Sequence, residues 1–187
     1  FEWLRGDYER AISYYDLYLN KRPEDPDGLL ALGRACIEVK RFKRIEETIL
    51  PYADRHPEKH RLLPIVGQYF LAFGRSEEAS GAFERYVERL APSERMLYED
   101  IQWMASKEEL EEYRRLSETE RLDFLNRFWA KRDADILTED NEGMIEHYRR
   151  IWYARAYFSG GAKPWDRRGE VYIRYGEPDF TARSDVI

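Results

Sequence analysis

The stretch Leu29-Leu30-Ala31-Leu32-Gly33-Arg34-Ala35-Cys36 decides the fold, because its pattern returns as Leu63-Pro64-Ile65-Val66-Gly67-Gln68-Tyr69-Phe70. Leu29, Leu32, Gly33 and Cys36, like their counterparts Leu63, Val66, Gly67 and Phe70, stand at helical spacing and mark one apolar face of a helix. Glycine inside a helix costs about 1 kcal/mol against alanine, so its recurrence on that face wants a packing reason, and close approach of a paired helix supplies one.

Working outward, the step of 34 residues that links Gly33 to Gly67 also links Pro23 to Pro57. It runs twice in succession through Ala11, Ile45 and Ala79, through Tyr15, Ile49 and Phe83, and through Tyr18, Tyr52 and Tyr86, while Pro92 arrives one residue late. Each period reads as a helical hairpin. Gly6-Asp7, Arg41 and Gly74-Arg75-Ser76 mark turns between paired helices. Pro23-Glu24-Asp25-Pro26 and His56-Pro57 close the second helices, since proline cannot continue a helix and biases the residue before it away from helical geometry. Phe1 to Leu4 reads as the tail of a first helix, so further repeats are expected upstream. Pro51, inside a second helix, suggests an altered or kinked middle hairpin.

This period and these offsets resemble tetratricopeptide repeats over residues 1–92, as two full repeats and one half. The resemblance implies a mainly α fold, an α-solenoid of stacked hairpins. Such stacks form extended concave surfaces that bind a peptide or a subunit.

After Pro92 the period stops, and residues 93–187 read as a second domain. Helical patterning continues through Ser93 to Trp103. Ser106-x-x-Glu109 and Ser117-x-x-Glu120 are capping boxes that start helices. Leu122, Leu125, Phe128 and Trp129 form the core face of the second of these. A long helix is predicted from about Asp140 to Phe158, with Thr138 or Asp140 as its cap, and helices account for 93–158. Glu170-Val171-Tyr172-Ile173-Arg174-Tyr175 alternates polar and apolar residues, which predicts a C-terminal strand at about 170–175 and a small α+β element. One strand needs a partner, from the residues after Phe180, from another chain or from a continuation past Ile187, and the domain is expected to be cut short at its C-terminal end.

The second half resembles the bacterial GWxTD domain through Phe128-Trp129-x-x-Arg132-Asp133, Thr138-x-x-Asn141-Glu142, Arg150-Ile151-x-Tyr153-Ala154 and Pro164-Trp165-Asp166-Arg167-Arg168-Gly169-x-Val171-Tyr172-Ile173-x-Tyr175-Gly176-x-Pro178-Asp179. Pro164 stands where the family carries its glycine. The resemblance implies a bacterial source, a setting in the periplasm or outer envelope, and no established catalysis. It makes Trp129, Arg132, Asp133, Thr138, Asn141, Glu142, Trp165, Arg168, Gly169, Gly176 and Pro178 signature residues of a structural kind.

Composition narrows the function further. A net charge of −6 disfavours capture of a phosphate backbone, and nucleic acid is not an expected partner. With 43% hydrophobic and 15% aromatic residues the chain can fill a core, yet no run is long and apolar enough for a membrane span. The single Cys36 excludes an internal disulfide and reads as a buried small hydrophobe. No Gly-rich phosphate loop, Ser-centred elbow or HExxH occurs, so no enzyme, metal or cofactor is expected. His56 and His60 are four apart with Pro57 between them and straddle a turn. The acidic run around Asp133, Asp135, Glu139, Asp140 and Glu142 offers an enzyme or metal reading with Arg168, with helix-end capping as its structural rival. Trp165-Asp166-Arg167-Arg168-Gly169 reads either as a binding corner or as a tight structural entry into the strand, with Trp165 packed on the helices and Arg168 paired with a core carboxylate such as Asp133 or Glu142.

The leading expectation is a non-enzymatic interaction scaffold or adaptor for a protein or peptide, alone or within a larger assembly. Tyr14, Tyr18, Arg41, Trp165 and Arg167 are its candidate contact residues, because tyrosine, tryptophan and arginine are enriched at interfaces. The Lys40–Arg44 basic stretch has a phosphate-binding reading beside that of a solvated helix start. The alternative function is a permanent structural subunit of an envelope assembly or filament, reached through an open edge at 171–175.

Overall fold

Asp25 sets the first repeated helix. Its carboxylate accepts the Gly28 N–H at 2.7 Å, and Pro26 occupies the first turn, where its missing N–H costs nothing. The structure, a computed structural model, describes residues 2–133, 141–160 and 163–177. It divides into two compact units, Phe1–Leu90 and Ala91–Ile187. The described residues are mainly helical and contain no strand, only an isolated antiparallel bridge between Gly160 and Lys163.

The first unit holds α1 (Glu2–Leu19), α2 (Pro26–Glu38), α3 (Phe42–Arg55), α4 (Leu63–Ala72) and α5 (Ser76–Glu88). Consecutive helices pack in order, and α2 also touches α4. A Cβ placed on Gly33 would stand 2.8 Å from both Ile49 Cδ1 and Ile65 Cγ2, and one on Gly67 would stand 2.6 Å from Phe83 Cε2. Ile49 and Phe83 are themselves 34 residues apart, so both glycines admit the same partner position. Leu29, Leu32, Cys36, Ile45, Ile49, Leu62, Ile65, Ala79 and Phe83 are buried around these contacts.

The hairpin turns repeat as closely as the helices. Lys40 and Gly74 carry φ of 58° and 68°, and the Arg41 and Arg75 N–H groups donate to Cys36 O and Phe70 O at 2.8 and 3.0 Å. Glycine takes this left-handed conformation freely, whereas lysine is strained in it. Gly6-Asp7 departs from the expectation. No turn forms there, and α1 runs unbroken from Glu2, because one glycine weakens a helix without stopping it. α3 likewise runs on through Pro51, whose side chain is exposed.

The second unit holds α6 (Pro92–Glu99), a 3-10 turn at Ile101–Trp103, α7 (Lys107–Arg115), α8 (Glu118–Ala130), α9 (Glu142–Tyr157) and α10 (Arg167–Tyr175). In the Ser106 capping box, the Ser106 N–H donates to Glu109 at 2.9 Å and the Glu109 N–H returns to Ser106 Oγ at 3.2 Å. The Ser117 N–H donates to Glu120 at 2.8 Å. Phe124 and Phe128 pack with Ile101 and Ala105 in one cluster, while α9 packs on α6 and α10.

The predicted strand at 170–175 is instead the body of α10, and the α+β element is not seen. Asp166 caps this helix by accepting the Arg168 N–H at 2.8 Å. Gly169, Tyr172 and Ile173 are buried at helical spacing, whereas Val171 and Tyr175, apolar members of the alternating pattern, are 57% and 76% exposed. The alternation was therefore a coincidence within an amphipathic helix. An open strand edge for a neighbouring chain disappears with it.

Two substitutions test the repeat geometry. Gly67→Val should overpack the Phe83 contact and cost about 2 kcal/mol in a urea melt. Lys40→Gly should relieve the left-handed strain and gain about 0.5–1 kcal/mol in the same melt, the added chain entropy included.

Candidate functional site

Arg132 and Asn141 tie helix ends together in the second unit. The Arg132 guanidinium lies 3.5 Å from the centre of the Phe128 ring and donates to Glu109 at 2.7 Å, to Phe128 O at 3.1 Å and to Met104 O at 3.4 Å. The Arg132 hydrogen bond holds the Glu109 carboxyl below its ordinary range although partial burial opposes it, so the pair joins the start of α7 to the end of α8 in its charged form. Asn141 reaches both ways: its amide N–H donates to Trp129 O at 2.7 Å, and its carbonyl oxygen accepts the Met144 N–H at 2.9 Å. Asn141 is thus the cap of α9, in place of the predicted Thr138 or Asp140. Glu142 opens that helix, and one Asp133 oxygen is buried without a hydrogen-bond partner among the described residues. Thr138, Asp135, Glu139, Asp140 and Pro178 lie outside the described residues.

Arg168 does not join this cluster. It pairs with Asp166 at 2.7 Å beside α10, is 72% exposed, and leaves the expected Asp133 or Glu142 partnership unmade. A purely local partner two residues away satisfied it first. Trp165, for which both a flat contact anchor and a packed position were open, is buried with its ring edge-on to Trp103 at 6.0 Å, and Gly169 admits it so closely that a Cβ there would stand 2.6 Å from Trp165 Cβ. Arg167 is exposed. Gly176, at φ 80°, lies under the Arg150 guanidinium, which donates to Ile173 O and Arg174 O at 3.2 Å and so satisfies the end of α10.

Sequence reasoning passed over the charged centre of α9. Glu146 is gripped by Arg149 at 2.6 Å and Arg150 at 2.7 Å, and Arg149 also donates to the Tyr172 hydroxyl at 3.1 Å. Burial pushes the Glu146 carboxyl up, but the two guanidiniums outweigh it and hold the group below its ordinary value. The Glu-x-x-Arg-Arg spacing was the available signal. The next residue, His147, is fully buried, with its Nε2–H donating to Tyr98 O at 3.0 Å and its Nδ1 without a partner among the described residues. Burial lowers its pKa to about 4, the Tyr98 bond opposes that, and Arg150 adds to it.

In the first unit Tyr14 and Tyr18 are 71% and 40% exposed, Leu17 beside them is exposed, and Tyr8 and Tyr15 are half-buried. Arg41 pairs with Glu9 at 2.8 Å and Arg44 with Asp16 at 2.6 Å. The basic stretch therefore spends two of its charges on α1 rather than presenting them to an anion. Burial pushes the Cys36 thiol up to about 12, which removes it as a nucleophile at neutral pH. His56 caps the end of α3 and His60 begins a 3-10 turn, with Pro57 between them. Among the described residues no three His, Cys, Asp or Glu side chains are grouped to hold a metal ion, and no helix is long and apolar enough to cross a membrane.

A groove of about 360 Å³ opens in the same unit, which the sequence did not disclose. Leu50, Ala53, Leu63, Val66 and Phe70 form its apolar lining, and Asp54, Glu78, Arg85 and Arg89 its charged border. Arg75 holds Glu78 at 2.8 Å. The Arg85 and Arg89 guanidiniums donate to Gly81 O and Pro57 O at 2.8 and 2.6 Å, and among the described residues neither pairs with a carboxylate. Their spacing of one helical turn is the trace of this site in the sequence.

No protein-family model, curated protein or solved structure matches the chain.

The neutral state of His147 gives a pH signature. Its folded pKa is depressed, so its contribution is complete above the ordinary value of 6.5 and is lost as pH falls toward 4, where the loss saturates. The expected loss across that window is about 3 kcal/mol, from the 1.36 kcal/mol carried by each pKa unit. Urea melts from pH 7 to pH 4 should show it, and His147→Gln should flatten this part of the profile.

Proposed function

We propose that the chain is a non-enzymatic interaction scaffold, a tetratricopeptide-like unit followed by a GWxTD-like unit, which binds a peptide segment of a partner protein through the repeat surface. The observation that carries this reading is the groove bordered by Arg85 and Arg89. An apolar floor with two guanidiniums that lack carboxylate partners among the described residues suits an apolar side chain followed by a carboxylate, since a guanidinium fork binds a carboxylate through two parallel hydrogen bonds. Interfaces of this kind draw their affinity from a few anchors seated in apolar hollows, with arginine prominent among them. Phe70, half-buried on the groove floor, provides such a hollow with Val66 and Leu50. The ties between helix ends in the second unit support a structural role there, because Arg132, Asn141 and Trp165 all serve packing or capping.

Selection from a displayed random-peptide library tests the reading. The protein should enrich sequences with an apolar residue next to an acidic one. The Arg85→Glu, Arg89→Glu double variant, with both changes at the surface, should bind the enriched peptides at least tenfold more weakly while keeping its helical circular dichroism. Equal binding by both forms, or enrichment of nothing, defeats the proposal.

A further inference from the structure

Gly81 lies in the interior of α5 on ordinary helical backbone, where a glycine weakens the helix, and no packing among the described residues calls for it. A Cβ on Gly33, Gly67 or Gly169 would stand within 2.8 Å of a neighbouring side chain, whereas one on Gly81 would meet no atom within 4 Å. The repeat does not ask for a glycine there either, since the residues one and two periods earlier are Glu47 and Ser13. Gly81 lines the groove of the first unit together with Leu50, Val66 and Phe70. One helical turn on, Arg85 brings its Nε–H back to Gly81 O at 2.8 Å, which sets the guanidinium beside Gly81 while leaving the space of a Cβ unfilled. The Arg75 guanidinium lies 4.5 Å from the centre of the Phe70 ring and also takes Glu78. With Glu78 so engaged, Arg85 and Arg89 outnumber Asp54 among the charges left at the groove border.

We infer that Gly81 is the specificity-determining residue of the peptide groove: its missing side chain leaves the seat for one large apolar side chain of the partner peptide, and the acidic residue next to that anchor takes the Arg85 guanidinium. This inference rests on the peptide-groove reading and adds to it the residue that sets the size of the anchor. Four residues of helix rise about 6 Å, a span that two adjacent residues of an extended peptide cover with their side chains. A leucine, methionine or phenylalanine over Gly81 would cover Leu50, Val66 and Phe70, whereas an alanine would leave them wet. The carboxylate on Arg85 fixes the register of the peptide, because the fork accepts it in one orientation. A side chain at position 81 would stand where the anchor belongs. α5 thus gives up helix stability at the point where binding needs room.

The test uses one peptide enriched by the wild-type protein, synthesised with its apolar anchor as leucine or as alanine, and compares wild type with Gly81→Ala and Gly81→Leu. Gly81→Ala should melt about 2–4 °C higher than wild type, because it removes the helical cost of glycine and its methyl group enters open space. Wild type should prefer the leucine peptide over the alanine peptide by about tenfold, and Gly81→Leu should cut that preference to about twofold or less while keeping its melt at or above that of wild type. An undiminished preference in Gly81→Leu overturns the inference. So does a lowered Tm in Gly81→Ala, since the chain itself would then need the glycine. If Gly81→Leu keeps the preference while the Arg85→Glu, Arg89→Glu double variant loses binding, this inference alone falls. If the double variant binds as wild type does, or wild type enriches no peptide, the groove reading falls and this inference with it.

Discussion

Two helices can lie against each other only as closely as their bulkiest contact allows, and in the first unit that limit is set by Gly33 and Gly67. Each glycine lets one large side chain of the partner helix, Ile49 or Phe83, sit where a Cβ would otherwise stand, at under 3 Å. The remaining core follows from the spacing so fixed. Leu29, Leu32 and Cys36 on α2 and Ile45 and Ile49 on α3 are all buried, and so is Ala79 on α5. The helical cost of each glycine, about 1 kcal/mol, is offset by the apolar surface that close packing removes from water.

The second unit is organised by a different constraint. Its helices carry many arginines at partly buried positions, and each guanidinium must find acceptors before its helix can dock. Arg132 satisfies the end of α8 and the start of α7 together, Arg150 satisfies the end of α10, and Arg155 reaches from α9 to Glu94 of α6 and to Pro164 O. Because these arginines bind backbone carbonyls as well as carboxylates, they fix helix ends in place. Arg132, Arg150 and Arg155 are thereby tied into the packing of the unit. Tyr153, stacked on Tyr172 at 4.3 Å, adds the apolar half of the same α9 and α10 contact.

Legibility differed between the units for a physical reason. A repeat states each contact twice, so Gly33 and Gly67, or Tyr18 and Tyr52, could be read against one another without knowledge of the fold. The capping boxes at Ser106 and Ser117 were equally legible, since their hydrogen bonds close within four residues. By contrast, Glu170 to Tyr175 has apolar residues at both strand-like and helix-like spacings. Only the Asp166 cap and the burial of Tyr172 and Ile173 decide for the helix. The groove beside Arg85 and Arg89 was invisible because it is made by three helices at once.

The sequence by itself determined the helical hairpins of residues 26–88, the glycine-centred contact that spaces them, and the burial of Cys36, all of which rest on periodicity or on bonds between near neighbours. The tertiary structure decided which arginines are committed and which keep an open fork, that Arg168 takes Asp166, that Trp165 is interior, and that Gly6 lies within a helix. Those outcomes depend on which surfaces a packed neighbour covers and which it leaves to water, and no local pattern records that.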